Sequence, residues 1–160
     1  MKLILDHYYK ILKILITFLM GLIIIPVTMQ ILSRYTGLIP RYIWTEEVAR
    51  FCFVWIIMLG SMIAVRDGSH FDVDLLPHPK TKRSEGLSKL VVHLLMALMG
   101  SSFAWYGYDF AKFGLIQNSE MFGMNMLFIY ISFPIAGITW LLFLAEKFIV
   151  DFQLIFGSEE

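Results

Sequence analysis

The stretch WTEEVARFCFVW, residues 44–55, decides the fold, because it begins like a charged soluble helix and continues as a membrane span. No charged residue occurs from Phe51 to Val65. A helix needs about 20 residues to cross the hydrocarbon core of a bilayer. The uncharged run is shorter than that, so it can span only together with its charged neighbours. The stretch therefore places Glu46, Glu47 and Arg50 at the mouth of a transmembrane helix.

The composition of the whole chain indicates a membrane protein. Of its 160 residues, 58% are apolar and 16% are charged, whereas soluble domains average about 45–50% apolar and about 25% charged residues. Three further long runs without charge are present, each long enough to form a membrane-spanning helix. We predict an all-α integral membrane protein that forms a single four-helix domain over residues 1–160. The predicted helices cover about 11–33, 44–65, 87–110 and 122–149, and a loop covers 66–86.

The distribution of Lys and Arg predicts how the chain is oriented in the membrane. Cytoplasmic connections carry an excess of these residues. They are concentrated in the N-terminal tail and in the connection between the second and third helices, and are sparse on the other side, where Arg34, Arg41 and Lys112 lie. We therefore expect both termini and residues 66–86 on the cytoplasmic side.

The charges at the start of the second helix are spaced so that they can pair. Glu46 lies four residues before Arg50 and Glu47 three residues before it, so either carboxylate can reach the guanidinium along one helix. Arg34 supplies another cation near the end of the first helix. Two interpretations are open: an ion pair at the membrane surface, or a polar cluster buried between packed helices.

One face of the second helix joins this cluster to small residues. At about 100° per residue, Glu46 and Arg50 share a face with Gly60 and Ala64. Small residues allow another membrane helix to approach closely. We therefore predict that this face packs against the first helix or against another subunit.

The same residues carry a resemblance to a known family. The matching segments are SRY at 33–35, WTEEVARF at 44–51, Trp55, Gly60 and AVRDGSHFDVDLL at 64–76. In this succession the chain resembles the small membrane subunit, of DctQ type, of the tripartite ATP-independent periplasmic (TRAP) transporters. The third and fourth helices resemble that family only in length and hydropathy.

The resemblance implies a partner and a function. It implies a non-catalytic subunit of the bacterial inner membrane that supports a large elevator-type permease subunit. A periplasmic binding protein would deliver an organic acid, such as sialic acid or a dicarboxylate, and a sodium gradient would drive its import. Membrane lipids surround such a subunit; neither a cofactor nor nucleic acid is expected. Structural or interface candidates share the matched segments or the small-residue face: Arg34, Glu46, Glu47, Arg50, Gly60, Ala64, Arg66, His70 and Asp74.

Particular residues argue for or against other functions. A membrane anchor of a redox enzyme would hold haem between two intramembrane histidines, but only His93 lies within a predicted span. A metal site could use His70, Asp72 and Asp74, which alternate along the loop, although a turn after the second helix explains them as well. A small carrier that works as a homo-oligomer is the third alternative. No arrangement of nucleophile and base indicates an enzyme.

Overall fold

The computed structural model describes residues 2–36, 40, 42–68, 82–119 and 123–156. Side chains are described for the same ranges except residues 2, 82–87 and 153–156. The described part of the chain is helical apart from short connections and one isolated β-bridge between Asn118 and Asn125. The helices are α1 Lys2–Thr36, α2 Trp44–Asp67, α3 Lys82–Ile116, α4 Leu127–Tyr130 and α5 Ser132–Phe156.

Four helical segments are long and apolar enough to cross a membrane: Leu3–Thr36, Trp44–Asp67, Ser88–Ile116 and Leu127–Phe152. This confirms the prediction of an all-α protein with four transmembrane helices. The segments run up and down, so that α1 and α3 start at the end of the bundle where α2 and α5 finish. We call this the proximal end and the opposite one the distal end. The sequence predicts that the proximal end faces the cytoplasm.

Three helices differ from the extents predicted from sequence. Helix α3, predicted over about 87–110, runs from Lys82 to Ile116. Helix α1 begins at Lys2 instead of about residue 11, because the polar residues of its first turns contact the end of α2. The fourth span begins at Leu127 and is interrupted at Ile131. Pro134 lacks the N–H that would bond to the carbonyl of residue 130, which explains a break at this point.

Helix α2 ends where its sequence provides a stop. Gly68 has a left-handed backbone conformation with φ of 77°, and its N–H bonds to the carbonyl of Ala64 at 3.0 Å. Glycine adopts this conformation without a steric penalty. Arg66 and Asp67 are therefore held in the last turn of the helix, facing the beginning of α1.

The closest helix pairing is that of α3 with α5, and it depends on glycine. Gly100, Gly107 and Gly114 recur every seven residues along α3. A Cβ atom added to Gly107 would lie 2.8 Å from the Pro134 nitrogen, and one added to Gly137 would lie 2.5 Å from the Ala104 nitrogen. These distances are too short for a side chain. The two backbones therefore touch directly, in the way small residues allow in membranes.

The arrangement of the helices leaves α5 at the centre. Helix α1 packs on α2, α2 packs on α5, and α5 packs on α3. Half of an 18-residue apolar stretch of the fourth span, Leu127–Phe152, is buried, compared with 11% of the corresponding stretch in the first span. The buried core lies mainly towards the proximal end and includes Leu12, Leu59, Met62, Val65, Met96, Trp140, Phe143 and Leu144. At the distal end, large parts of α1 and α2 remain uncovered.

Candidate subunit interface

The proximal end carries polar side chains that are paired across helices. Arg66 of α2 forms an ion pair with Asp6 of α1 and also donates a hydrogen bond to the carbonyl of Leu5. Its guanidinium lies over two rings, 4.8 Å from the centroid of Tyr9 and 5.2 Å from that of Phe143. Both contacts are within the range of cation–π attraction. The interface candidate Arg66 is therefore used within the chain, where it joins α1, α2 and α5.

Two further hydrogen bonds hold α1 in place. The Tyr9 hydroxyl donates to the carboxylate of Asp67 in α2. Tyr8 and Thr139 bond through their hydroxyls at 2.9 Å, which links α1 to α5. A buried or half-buried polar group is costly unless it is hydrogen-bonded. These pairs therefore satisfy the polar groups that the first turns of α1 bring to the helix junction.

The histidine within the third span has a carboxylate partner. His93 Nδ1 of α3 lies 2.5 Å from Asp151 Oδ2 of α5. The two side chains are only 15% and 4% exposed, and the Phe148 ring meets the imidazole edge-on. The sequence reasoning treated His93 alone and missed Asp151. The available signal was an acid that follows Glu146 and Lys147 at the predicted cytoplasmic end of the fourth span.

The candidate cluster at the distal end differs, because its charges are unpaired. Arg34, Glu46 and Arg50 are exposed, and Glu47 is partly buried. In the described ranges, none of these four side chains has an ion pair or a hydrogen bond. The helical spacing brings Glu46, Glu47 and Arg50 to one end of α2 but does not bring the guanidinium onto either carboxylate.

The face that continues from this cluster is open in its distal half and covered in its proximal half. Phe53 and Ile57 are 56% and 48% exposed. Gly60 and Ala64 are partly buried, and a Cβ atom on Gly60 would lie 3.5 Å from Cδ1 of Ile16 in α1. That distance is an ordinary contact. Helix α1 thus covers this face from Gly60 onward, whereas nothing in the described chain covers Phe53 and Ile57 to the same degree.

A groove of about 480 Å³ lies between the distal ends of α1 and α2. Gln30, Ser33 and Arg34 line it from α1, and Thr45 and Glu46 line it from α2. Two lining atoms, Gln30 Nε2 and Ser33 Oγ, are buried without a hydrogen-bond partner, and so is Glu47 Oε2, which belongs to the same end of α2 but does not line the groove. Native proteins leave few buried polar groups unpaired. The distal end of α1 and α2 is therefore the least satisfied polar region in the described chain.

The connection between α2 and α3 contains two of the interface candidates and the three residues of the hypothetical metal site. His70 and Asp74, together with Asp72, lie outside the described residues. Within the described ranges, no group of three or more His, Cys, Asp or Glu side chains is arranged to hold a metal ion. Cys52 is buried and free.

The fold and these polar contacts define a small multi-pass membrane protein whose paired polar groups join its own helices. Residues 23–154 match the family model described as tripartite ATP-independent periplasmic transporters, DctQ component. The chain belongs to this family, which confirms the resemblance found in the sequence. As a DctQ component, it is a multi-pass part of a TRAP transporter of the inner membrane, and the members of this family are transport components, not enzymes.

Relatives of two sizes match the chain. A putative TRAP transporter small permease protein of Haemophilus influenzae is 24% identical over 150 residues, which cover 94% of this chain and 92% of the relative. The isethionate TRAP transporter permease protein DctMQ of Oleidesulfovibrio alaskensis is 28% identical over 121 residues, or 71% of this chain. The sialic acid TRAP transporter permease protein SiaT of H. influenzae is 26% identical over 124 residues, or 78% of this chain.

The chain spans only about a fifth of the two longer relatives, 19% of DctMQ and 20% of SiaT. In those proteins a unit similar to this chain is therefore continuous with a much larger polypeptide. Together with the names of these relatives, this supports association of the small subunit with a larger permease subunit in TRAP systems.

Proposed function

We propose that this chain is a non-catalytic scaffold for a large elevator-type permease subunit that imports an organic acid with sodium. A periplasmic binding protein would deliver the substrate to the membrane complex. The names of DctMQ and SiaT specify isethionate and sialic acid, both of which are organic acids, and this supports the substrate class proposed here.

The continuity of the helices is the observation on which the scaffold function rests. Transport sites near the middle of the membrane are typically built from broken helices with unwound backbone. Here α1 continues through Pro26, α2 and α3 are uninterrupted, and the break at Ile131 lies near the distal end. The described spans therefore offer no unwound backbone at mid-membrane for coordinating sodium or a carboxylate.

The hydroxyl groups inside the spans support the same proposal. Ser61, Ser101 and Ser102 donate to carbonyls three or four residues earlier in their own helices. Ser132 donates to the carbonyl of Ile129 in α4, and Thr139 donates to that of Ile135 in α5 in addition to its bond with Tyr8. Hydroxyls bonded in this way satisfy themselves locally. They are thus not arranged as a shared polar site for a transported ion.

The remaining sequence candidates fit a structural role in such a complex. We include Arg34, Glu46, Glu47 and Arg50 as groups that support assembly at the distal end. Gly60, Ala64 and Arg66 support the packing of α1 on α2. His70 and Asp74 belong to the connection that the family motif covers, and their role stays a prediction from the resemblance.

Reconstitution in liposomes tests the proposed function. The chain alone, the large permease subunit alone, and both together would be supplied with a loaded binding protein under an inward sodium gradient. We expect uptake of the organic acid only with both membrane subunits, and its loss when the gradient is collapsed. Uptake by this chain without the large subunit would contradict the scaffold role, and uptake without a sodium gradient would contradict sodium coupling.

A further inference from the structure

We propose that the distal half of α2 is the surface on which a transmembrane helix of the large permease subunit packs. The surface, called here the α2 stripe, consists of Arg50, Phe53 and Ile57. The packed helix would present an acceptor oxygen, from a carboxylate or a carbonyl, to the Arg50 guanidinium. This inference rests on the proposed function and adds the contact surface and its chemistry.

Arg50 lies below the surface of the membrane. Helix α2 has 24 residues, so at 1.5 Å per residue it is about 36 Å long and exceeds the hydrocarbon core of about 30 Å by only a few ångström at each end. Arg50 follows Trp44 by six positions, which places it about 9 Å along the helix. Its Cα therefore lies inside the hydrocarbon region and below the headgroups.

Arg50 has no acceptor among its described surroundings. Arginines within membrane spans face a bundle interior or a water-filled cavity and pair with acids or carbonyl oxygens. Arg66, at the other end of the same helix, follows this rule through Asp6 and the Leu5 carbonyl. Arg50 is exposed and makes no such contact with the described part of the chain. An acceptor for this guanidinium therefore has to come from outside the described part of the chain, and a neighbouring subunit is the source that we propose.

The acceptor for Arg50 could come from a lipid phosphate or from a helix packed beside α2, and the position of Glu46 distinguishes between the two. Phosphate groups of lipids lie above Arg50, and a guanidinium that extends towards them passes the level of Glu46, one turn nearer the distal end. The two side chains nevertheless form no ion pair. Below Arg50, the open side of α2 continues through Phe53 and Ile57 until α1 covers it at Gly60. A helix packed alongside α2 contacts this whole stripe, whereas a headgroup reaches only its upper end.

The identity of the occupant comes from the long relatives. A unit similar to this chain makes up about a fifth of DctMQ and of SiaT. The rest of each polypeptide is covalently held beside that unit, so a large membrane partner is constantly available to cover it. We therefore assign the α2 stripe to the large permease subunit instead of to a second copy of this chain.

Site-specific photocrosslinking tests the surface without requiring a stable variant. Benzoylphenylalanine would replace Phe53 or Ile57 in the tagged chain, co-expressed with its large permease subunit in membranes. Leu98 on α3, which is 67% exposed, is the matched control position. We expect covalent adducts with the large subunit from positions 53 and 57 and none from position 98. Adducts from 98 alone, adducts of two copies of this chain, or lipid adducts alone at 53 and 57 would overturn the proposal.

The chemistry at Arg50 needs a second measurement. Arg50→Ala should reduce the amount of large subunit that copurifies by at least about tenfold, because truncating one partner of a buried charge pair mainly accelerates dissociation. Arg50→Lys should restore only part, since an ammonium lacks the planar fork of the guanidinium. Lys112→Ala, which removes an exposed cation from the distal part of α3, should copurify like the parent. Equal yields for Arg50→Ala and the parent would overturn the assigned acceptor.

The proposed function and the α2 stripe can fail separately. If the unmodified chain does not copurify with the large subunit, the proposed function is wrong. If it copurifies and the crosslinks form elsewhere, only the α2 stripe is wrong. The melting temperature of each isolated variant in detergent shows whether a lower yield merely reflects unfolding, and the crosslinks decide the surface in that case.

Discussion

His93 Nδ1 and Asp151 Oδ2 lie 2.5 Å apart and join α3 to α5 at the proximal end. Both side chains are largely buried, and Lys147 of α5 is close enough to interact electrostatically with the same carboxylate. The pair therefore closes the end of the bundle where the glycine contacts of α3 with α5 finish. Replacing His93 should therefore destabilise the chain.

His93→Leu should lower the melting temperature of the chain in detergent, because it leaves the Asp151 carboxylate buried without its nearest partner. Breaking a buried pair costs about 3–5 kcal/mol, and the nearby Lys147 should reduce this figure. The double variant His93→Leu with Asp151→Leu should recover part of the loss, since it removes both polar groups. A double variant as unstable as the sum of the two single variants would show that the pair is not coupled.

The contacts of Arg66 predict that replacing Arg66 destabilises the chain more than replacing its ion-pair partner Asp6. Asp6 is 58% exposed, and exposed ion pairs contribute only about 0–1 kcal/mol. Arg66→Ala removes this pair together with the hydrogen bond to the Leu5 carbonyl and the contacts with Tyr9 and Phe143. We expect Asp6→Ala to leave the thermal melting curve nearly unchanged and Arg66→Ala to shift it clearly downward. Equal shifts would mean that the ring and carbonyl contacts add nothing.

The close approach of α3 and α5 predicts that a single methyl group disrupts the fold. Gly107→Ala and Gly137→Ala each place a Cβ atom within 3 Å of backbone atoms on the facing helix. Overpacking of this kind costs about 1–3 kcal/mol or more. Gly21→Ala is the matched control, because nothing lies within 4 Å of its added Cβ. Size-exclusion profiles and melting curves should separate the two α3–α5 variants from the parent and leave Gly21→Ala close to it.

The predicted orientation can be checked by labelling in intact cells. In a Cys52→Ala background, an impermeant thiol reagent added from outside should modify Asn118→Cys after it passes the outer membrane. It should not modify His7→Cys until the inner membrane is opened. Both positions are exposed, so accessibility within the protein does not explain a difference. The opposite labelling pattern would place the proximal end in the periplasm.

Much of the fold could be predicted from hydropathy alone, because the membrane forces each apolar run into a helix that satisfies its own backbone. The exact contacts between helices could not. The spacing of Gly100, Gly107 and Gly114 signals a packing face on α3, but it does not reveal that the facing backbone is that of α5. The pair of His93 and Asp151 likewise depends on which helices are neighbours.

The candidate cluster shows a different limit of sequence reasoning. Glu46, Glu47 and Arg50 all lie in the first two turns of one helix, as their position in the sequence predicts. Their spacing could not determine whether the chain itself or a partner provides the ion pair, since a side chain three or four positions away competes with acceptors outside the chain. Among the residues that the structure describes, ion pairs occur at the proximal end and are missing from the distal cluster.

Glu47 gives the last prediction, because it distinguishes stability of the isolated chain from assembly. Its Oε2 atom is buried without a hydrogen-bond partner, a situation that costs about 1–3 kcal/mol for a polar group and more for a charged one. Glu47→Met keeps the length of the side chain and removes the charge. We therefore expect it to raise the melting temperature of the isolated chain by several degrees, since about 1 kcal/mol corresponds to roughly 2–4 °C at this size.

The same substitution should weaken the complex if Glu47 serves assembly. Glu46→Met is the matched control, because Glu46 is exposed and its replacement should leave the melting curve of the isolated chain nearly unchanged. Copurification of the large permease subunit with each variant completes the comparison. A more stable chain that binds less of the large subunit would identify Glu47 as a residue retained for assembly at the expense of stability. A Glu47→Met chain that melts below the parent would show that the carboxylate already has a partner in the isolated chain.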